Sequence, residues 1–179
     1  MEKQTFLPGQ KGREAFYPGS VVMVTAVDAA GKADICTVGA WALVNGAPQM
    51  YGIAMCARRA GGYFWKRYTT TCIEQTGEFV INIPHAGLEK AWGVCGGVSL
   101  NDRPDADKFA LAKLTASPAA KVQAPLIAEC PINIECRVHS KLKLPTHDWI
   151  VGEPLAFHVA ADLDSSQSRV VWNKAFTLK

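Results

Sequence analysis

The stretch "KRYTTTCIEQTGEFVINIP", residues 66–84, joins a basic, hydroxyl-rich beginning to an apolar end. Lys66, Arg67, Tyr68 and three consecutive threonines precede "CIEQTG", where Gly77 suits the C-terminal stop of a helix, and "EFVINI" reads as a strand. A helix over 69–75 would therefore open on cations and hydroxyls. The first N–H groups of a helix lack internal partners and its dipole favours negative charge there, so such an opening suits an anion. Upstream, Arg58 and Arg59 add two guanidinium groups. Guanidinium and hydroxyl donors around helix N–H groups are what a terminal phosphate monoester needs, because it carries nearly two charges and several acceptor oxygens. A second segment, "CTVGAWAL", has Gly39 and Ala40 as a small-residue wall on which a flat ligand can lie close to backbone. A flat ring plus a phosphate suggests a mononucleotide-like cofactor. The plainer alternative is a basic surface loop, with Trp41, Tyr63, Phe64 and Trp65 closing a core or an oligomer interface. Neither GxxxxGK[ST] nor GxGxxG after a strand occurs, so a P-loop or Rossmann site is not expected.

The elements that must position these residues are mostly strands. Residues 21–27 and 33–38 read as two strands around "DAAGK", whose Asp28 and Gly31 suit a hairpin turn. "PQMYGIAMCA" reads as a third strand bounded by Pro48, and "EFVINIP" as a fourth stopped by Pro84. "HAGLEKAWGVCG" suggests a second helix, and "NDRPDADKFALAKL" a turn and a short third one with Asp107 near its start. "PINIECRVHSKLKLP" and "HDWIVGEPLAFHVAAD" alternate apolar and polar residues as two long strands joined through "PTHD", and "RVVWNKAFTL" could be a last strand. Six or seven strands at hairpin-like spacing, with helices inserted between them, predict a mainly β protein built as a closed antiparallel barrel. Neither repeat nor linker divides the 179 residues, so one domain over 1–179 is expected.

Composition narrows the function classes. Net charge is +3 and no run of five basic residues occurs, so nucleic acid is not an expected partner. Neither an apolar leader nor some eighteen consecutive apolar residues is found, and the reading is a cytoplasmic protein without a membrane partner. The six cysteines, Cys36, Cys56, Cys72, Cys95, Cys130 and Cys136, include no CxxC pair, and with the four histidines they do not reach zinc-ligand spacing. Reduced thiols and no metal are expected.

"GKADICTVGAW", "RYTTTCIEQTGEFVINIP", "DADKF", "APLIAECPINIECRV" and "HDWIVGE" occur in an order and near a spacing that resembles the flavin reductase-like proteins, flavoredoxin among them. The resemblance covers about residues 18–162. It implies a split antiparallel β-barrel of the FMN-binding type with a few inserted short helices, a homodimer, and FMN held non-covalently near the subunit interface. It further implies that Thr37, Val38, Gly39, Ala40 and Trp41 line the isoalloxazine, the Cys36 to Trp41 region giving backbone donors to the reduced ring. Arg67, Tyr68 and Thr69 would hold the phosphate with Arg58 or Arg59, and Cys56 falls in the same cofactor set. His147 and Trp149 would lie near the ring where NADH or NADPH approaches, His147 being the one candidate catalytic residue. The implied activity passes electrons from NAD(P)H through FMN to flavin or another acceptor, a small molecule or a protein.

Two other classes stay open. The barrel could carry flavin or haem without turnover, as an electron carrier or storage module. Alternatively a cysteine such as Cys36 or Cys56, paired in space with His147, could be a nucleophile. The aromatic "RRAGGYFWK" insertion and Cys36, at a place where relatives have an apolar residue, are departures from the family pattern.

Overall fold

The computed structural model describes residues 21–57, 66–161 and 163. Strands β1 (Val22–Val27) and β2 (Ala33–Val38) form the expected hairpin. Asp28 closes it by accepting the N–H groups of Ala30 and Lys32 at 2.9 and 2.8 Å, and Gly31 takes a φ of 83°. Glycine reaches that left-handed conformation without the steric cost a side chain would meet. A second hairpin follows, β3 (Trp41–Gly46) and β4 (Gln49–Cys56). The sequence reading lacked one strand: "WALVNG" is a strand of its own, while Pro48 does bound β4, from the turn that joins the two.

Helix α1 (Tyr68–Thr76) leads into β5 (Glu78–Ile83). It stops where expected: Gly77 is left-handed at φ 70° and donates its N–H to Ile73 O at 2.8 Å. A 3₁₀ turn (Ala86–Leu88), α2 (Glu89–Gly97) and α3 (Lys108–Ala112) come next. Asp107 caps α3 by accepting Ala110 N–H at 3.1 Å. The short ladder of β6 (Ala116–Ser117) and β7 (Leu126–Ile127) precedes the long hairpin β8 (Ile132–Lys143) and β9 (His147–Val159). The further strand read in "RVVWNKAFTL" lies outside the described residues.

Seven strands make one antiparallel sheet in the order β2-β1-β5-β8-β9-β4-β3. Its two edge strands, β2 and β3, are consecutive in the chain and separated only by Gly39 and Ala40. One run of chain thus pairs with β1 on its first half and with β4 on its second, and the sheet curls to bring those neighbours together. Ala40 O still accepts from Ala54 N–H at 2.9 Å, which carries the β4 ladder to the bend. The result is a split barrel, mainly β, with short helices between strands.

Alternation along the strands sorts the core into layers. Val22, Val24 and Ala26 of β1 point inward with Cys36, Ile53, Met55, Phe79, Ile81, Ile134 and Ile150. Met23 of β1 and Ile35 of β2 point outward, where Ala91 and Cys95 of α2 and Ala112 of α3 cover them. This is why all six residues of β1 are buried: apolar layers lie on both of its faces.

Candidate functional site

The end of β4, the start of α1 and the bend after β2 meet at one corner of the barrel. Arg67 donates its N–H to Cys56 O at 3.0 Å, and the Thr70 hydroxyl donates to the same carbonyl at 2.8 Å. Together these fix the helix start on the last residue of β4. Arg67 is the N-cap, in extended conformation at φ −73° and ψ 146°, and its side chain does not cap the helix. The N–H groups of Thr70 and Thr71 turn back onto Arg67 O at 3.0 and 3.4 Å. The first turn holds no acidic residue. A helix beginning on an arginine, with neither a capping side chain nor an acidic residue of its own in the first turn, leaves its first N–H groups uncapped.

Arg67, Tyr68, Thr69, Cys56, Cys36, Ala40 and His147 share this corner, but their side chains point different ways. The Tyr68 hydroxyl reaches out to Asp28 Oδ2 at 2.6 Å, and that bond first, with burial and the Asp28 charge, pushes its phenol up to about 12. The Thr69 hydroxyl turns inward to Asp34 Oδ2 at 2.6 Å, where Thr69 is fully buried. Asp34 is in turn paired with Lys108 Nζ at 2.8 Å, and Lys108 also donates to Ile35 O at 2.6 Å. The Thr69 and Tyr68 hydroxyls therefore hold the helix onto the β1–β2 hairpin, while the Arg67 guanidinium stays on the β4 side, next to the Cys56 sulfur. Lys66 is drawn away to Glu74 on the same helix.

Gly39 and Ala40 are exposed at the bend, and a Cβ on Gly39 would meet nothing within 4 Å. Thr37 faces α2, donating its hydroxyl to Trp92 O at 2.5 Å, while Val38 faces the barrel interior and Trp41 packs half-buried against the same core. Cys36 is also inside, and burial pushes its thiol up to about 11 although Arg67 and Lys108 pull the other way. Arg58 and Arg59 lie outside the described residues.

On β9, Trp149 lies across Gly52 of β4: a Cβ there would run into the indole, with Nε1 only 2.6 Å away. His147 stands opposite Cys56 in the β4–β9 register, and its Nε2 is 3.0 Å from the Cys56 sulfur. Cys56, and not Cys36, is the cysteine that meets the histidine. The signal for this contact is the pairing register of two strands about ninety positions apart, which no local pattern in the sequence contains. The Asp34–Lys108 pair was missed for the same reason, as its partners come from β2 and α3. A cavity of about 410 Å³ opens at the other end of α1, lined by Ile73, Glu74, Gly77, Val138, Lys141 and Ile150.

A split antiparallel barrel with short helices between its strands defines the class. The flavin reductase-like domain model matches residues 13–177, and the chain belongs to that family, with the flavin-related redox role the family carries. An uncharacterised protein of Archaeoglobus fulgidus is 31% identical over 145 residues, covering 79% of this chain and 73% of that one. The crystal structure of flavoredoxin from Methanosarcina acetivorans superposes with a TM-score of 0.71 at 29% identity, over 90% of this chain and 77% of that one. A protein with a split barrel domain from Shewanella frigidimarina shares the fold at a TM-score of 0.71 and 16% identity, over 83% of this chain and 71% of that one. Among the described residues no helix is long and apolar enough to cross a membrane.

Proposed function

We propose that the protein binds FMN and serves as an NAD(P)H-dependent oxidoreductase passing electrons to free flavin or to another small-molecule or protein acceptor. The observation that carries the FMN reading is the uncapped, acid-free start of α1, with Arg67 at its N-cap, beside the exposed Gly39–Ala40 bend. A phosphate monoester is doubly anionic and fits a mouth of helix N–H groups and one guanidinium. The bend supplies backbone without side chains in the way, as a flat ring requires.

Each residue then has a task. Arg67 and the N–H groups of Tyr68 and Thr69 bind the phosphate. The Thr69–Asp34–Lys108 chain orients them by locking the helix start onto β2. Backbone N–H groups around Gly39 and Ala40 face the ring edge on which negative charge develops, a contribution of the oxyanion-hole kind. Trp149, laid against Gly52, shields one side from water. When bound, the flavin supplies the hydride and single-electron chemistry itself.

Two copies are expected to associate. Leu43 and Val44 on β3 are 52% and 42% exposed, and Leu142, Phe157 and Val159 on β8 and β9 are 60%, 48% and 52% exposed. Apolar side chains in such number on three strands suit burial against a second copy.

Titration of the apoprotein with FMN and with riboflavin tests the reading. FMN should bind more tightly than riboflavin, and Arg67→Ala should weaken FMN on the order of ten- to a hundredfold while leaving riboflavin nearly unchanged, closing the gap. Equal affinity for the two ligands, or no binding of either, would sink it. Oxidation of NADH or NADPH by the loaded protein separates a reductase from a carrier without turnover.

A further inference from the structure

The corner contains a cysteine and a histidine to which the proposed flavin site gives no task, beside the Arg67 that it does use. Cys56 Sγ lies 3.0 Å from His147 Nε2, and the other ring nitrogen, Nδ1, lies 2.8 Å from the Thr146 hydroxyl. Arg67 approaches the same sulfur from the helix side as a hydrogen-bond donor. Nucleophile, base and orienting group thus stand in sequence, and a cation is placed where a thiolate would form. The backbone fixes all four: Arg67 N–H is on Cys56 O, Ala57 N–H is on Thr146 O at 3.1 Å, and Leu144 N–H is on His147 O at 2.9 Å.

The protonation states agree with this order. Burial lowers His147, so its imidazole is neutral near pH 7. In the tautomer that carries its proton on Nδ1, against the Thr146 oxygen, Nε2 is the acceptor facing the thiol. Burial raises the Cys56 thiol despite the offset from Arg67, so the sulfur is a thiol that needs a base, not a free thiolate. Cys56 is also singular in access: it is half-buried, whereas Cys36, Cys72, Cys95, Cys130 and Cys136 are buried.

We propose that Cys56 is a thiol–disulfide exchange site, in which His147 takes the thiol proton, Thr146 holds the imidazole and Arg67 favours a small disulfide bearing carboxylates. In the step, Cys56 Sγ attacks one sulfur of the disulfide, a new S–S bond forms, and the substrate's own S–S bond breaks. The thiol proton passes to His147 Nε2 and then to the departing thiolate. Cys56 is oxidised to the mixed disulfide and one half of the substrate leaves reduced as a thiol, so no further oxidant is required. The proposal does not rest on flavin binding, because the adduct is read on the protein itself.

The full chain, native and reduced, is treated with the dianionic dithiobis(nitrobenzoate) and separately with the dicationic cystamine. Release of thionitrobenzoate or of cysteamine is timed, and the adduct is located by peptide mass. A single adduct on Cys56 is expected, with the dianionic reagent favoured over cystamine relative to their rates with free cysteine. His147→Gln should slow the reaction on the order of a hundredfold, the usual size of a general-base contribution. Thr146→Val should slow it about tenfold and Thr146→Ser should restore it, which loss of packing alone would not do. The Thr146 pair also keeps the test open should His147→Gln fail to fold. Modification first at another cysteine, no native-state adduct, or a Cys56 rate indifferent to both Thr146→Val and His147→Gln would overturn the proposal.

Discussion

Asp34 is buried to 1% exposure in the wall of the barrel, and it is the residue on which the candidate site turns. A carboxylate in such a place is costly unless it is paired and hydrogen-bonded, and Lys108 and Thr69 provide both. The threonines that make "RYTTT" look like a cluster of phosphate ligands thus include one whose hydroxyl is committed to the interior and one, Thr70, committed to Cys56 O. Glu135 is a second buried carboxylate with a different task. It accepts the N–H groups of Ala120, Lys121 and Val122 at 2.8, 2.6 and 3.0 Å and bonds His158 Nε2 at 2.6 Å, anchoring the loop between β6 and β7 to β8. Burial pushes this carboxyl up, but those bonds outweigh it and hold it below its ordinary value. A carboxylate with a lowered folded-state pKa stabilises the protein above its unfolded value, about 4.3, and loses that contribution as pH falls through the folded value. Glu135→Gln should therefore lower unfolding stability by about 3 kcal/mol near pH 7, and the deficit should shrink as urea melts are repeated below pH 4. A deficit that stayed constant down to the acid limit would rule out the carboxylate as its source.

Among the elements, the β4–β9 pairing does most to shape the site. It sets His147 against Cys56 and lays the Trp149 indole on Gly52, which has no side chain to hold it off. Gly52→Ala should displace the ring and cost about 1–3 kcal/mol by overpacking, visible as a lower unfolding midpoint together with a shifted Trp149 emission in a variant keeping only that tryptophan. An unchanged midpoint would mean that the ring has room to move. The sequence made the termini of several elements legible, because Asp28, Gly31, Gly77 and Asp107 act through contacts within a few residues of themselves. Strand β3 gives no signal in the sequence, since its residues from Ala42 on are exposed and show no inward face to read. The two-residue strands β6 and β7 are too short to show a period. The Cys56–His147 contact needs a register, and a register depends on the whole sheet.

For the whole molecule, the exposed Leu142, Phe157 and Val159 lie on the long hairpin that forms the back of the barrel, and Leu43 and Val44 on its edge strand. If these exposed apolar strand residues join two copies, sedimentation equilibrium should return twice the chain mass, and Leu142→Glu with Leu43→Glu should shift the population towards single chains by tenfold or more in dissociation constant, about 1.4 kcal/mol. Single chains in the unaltered protein at micromolar concentration would refute the association. The passage from β2 to β3 through Gly39 and Ala40 has a different consequence. Both free borders of the sheet belong to one strip of chain, so neither can peel away without tugging the other, and the barrel has a hinge pin where most barrels have a seam. Cutting the chain between residues 39 and 40, as in a circular permutant, would leave the ladders of β2 with β1 and of β3 with β4 intact while letting the two borders fray independently. The corner proposed to receive a cofactor is therefore also the place where the sheet's two margins are kept in step.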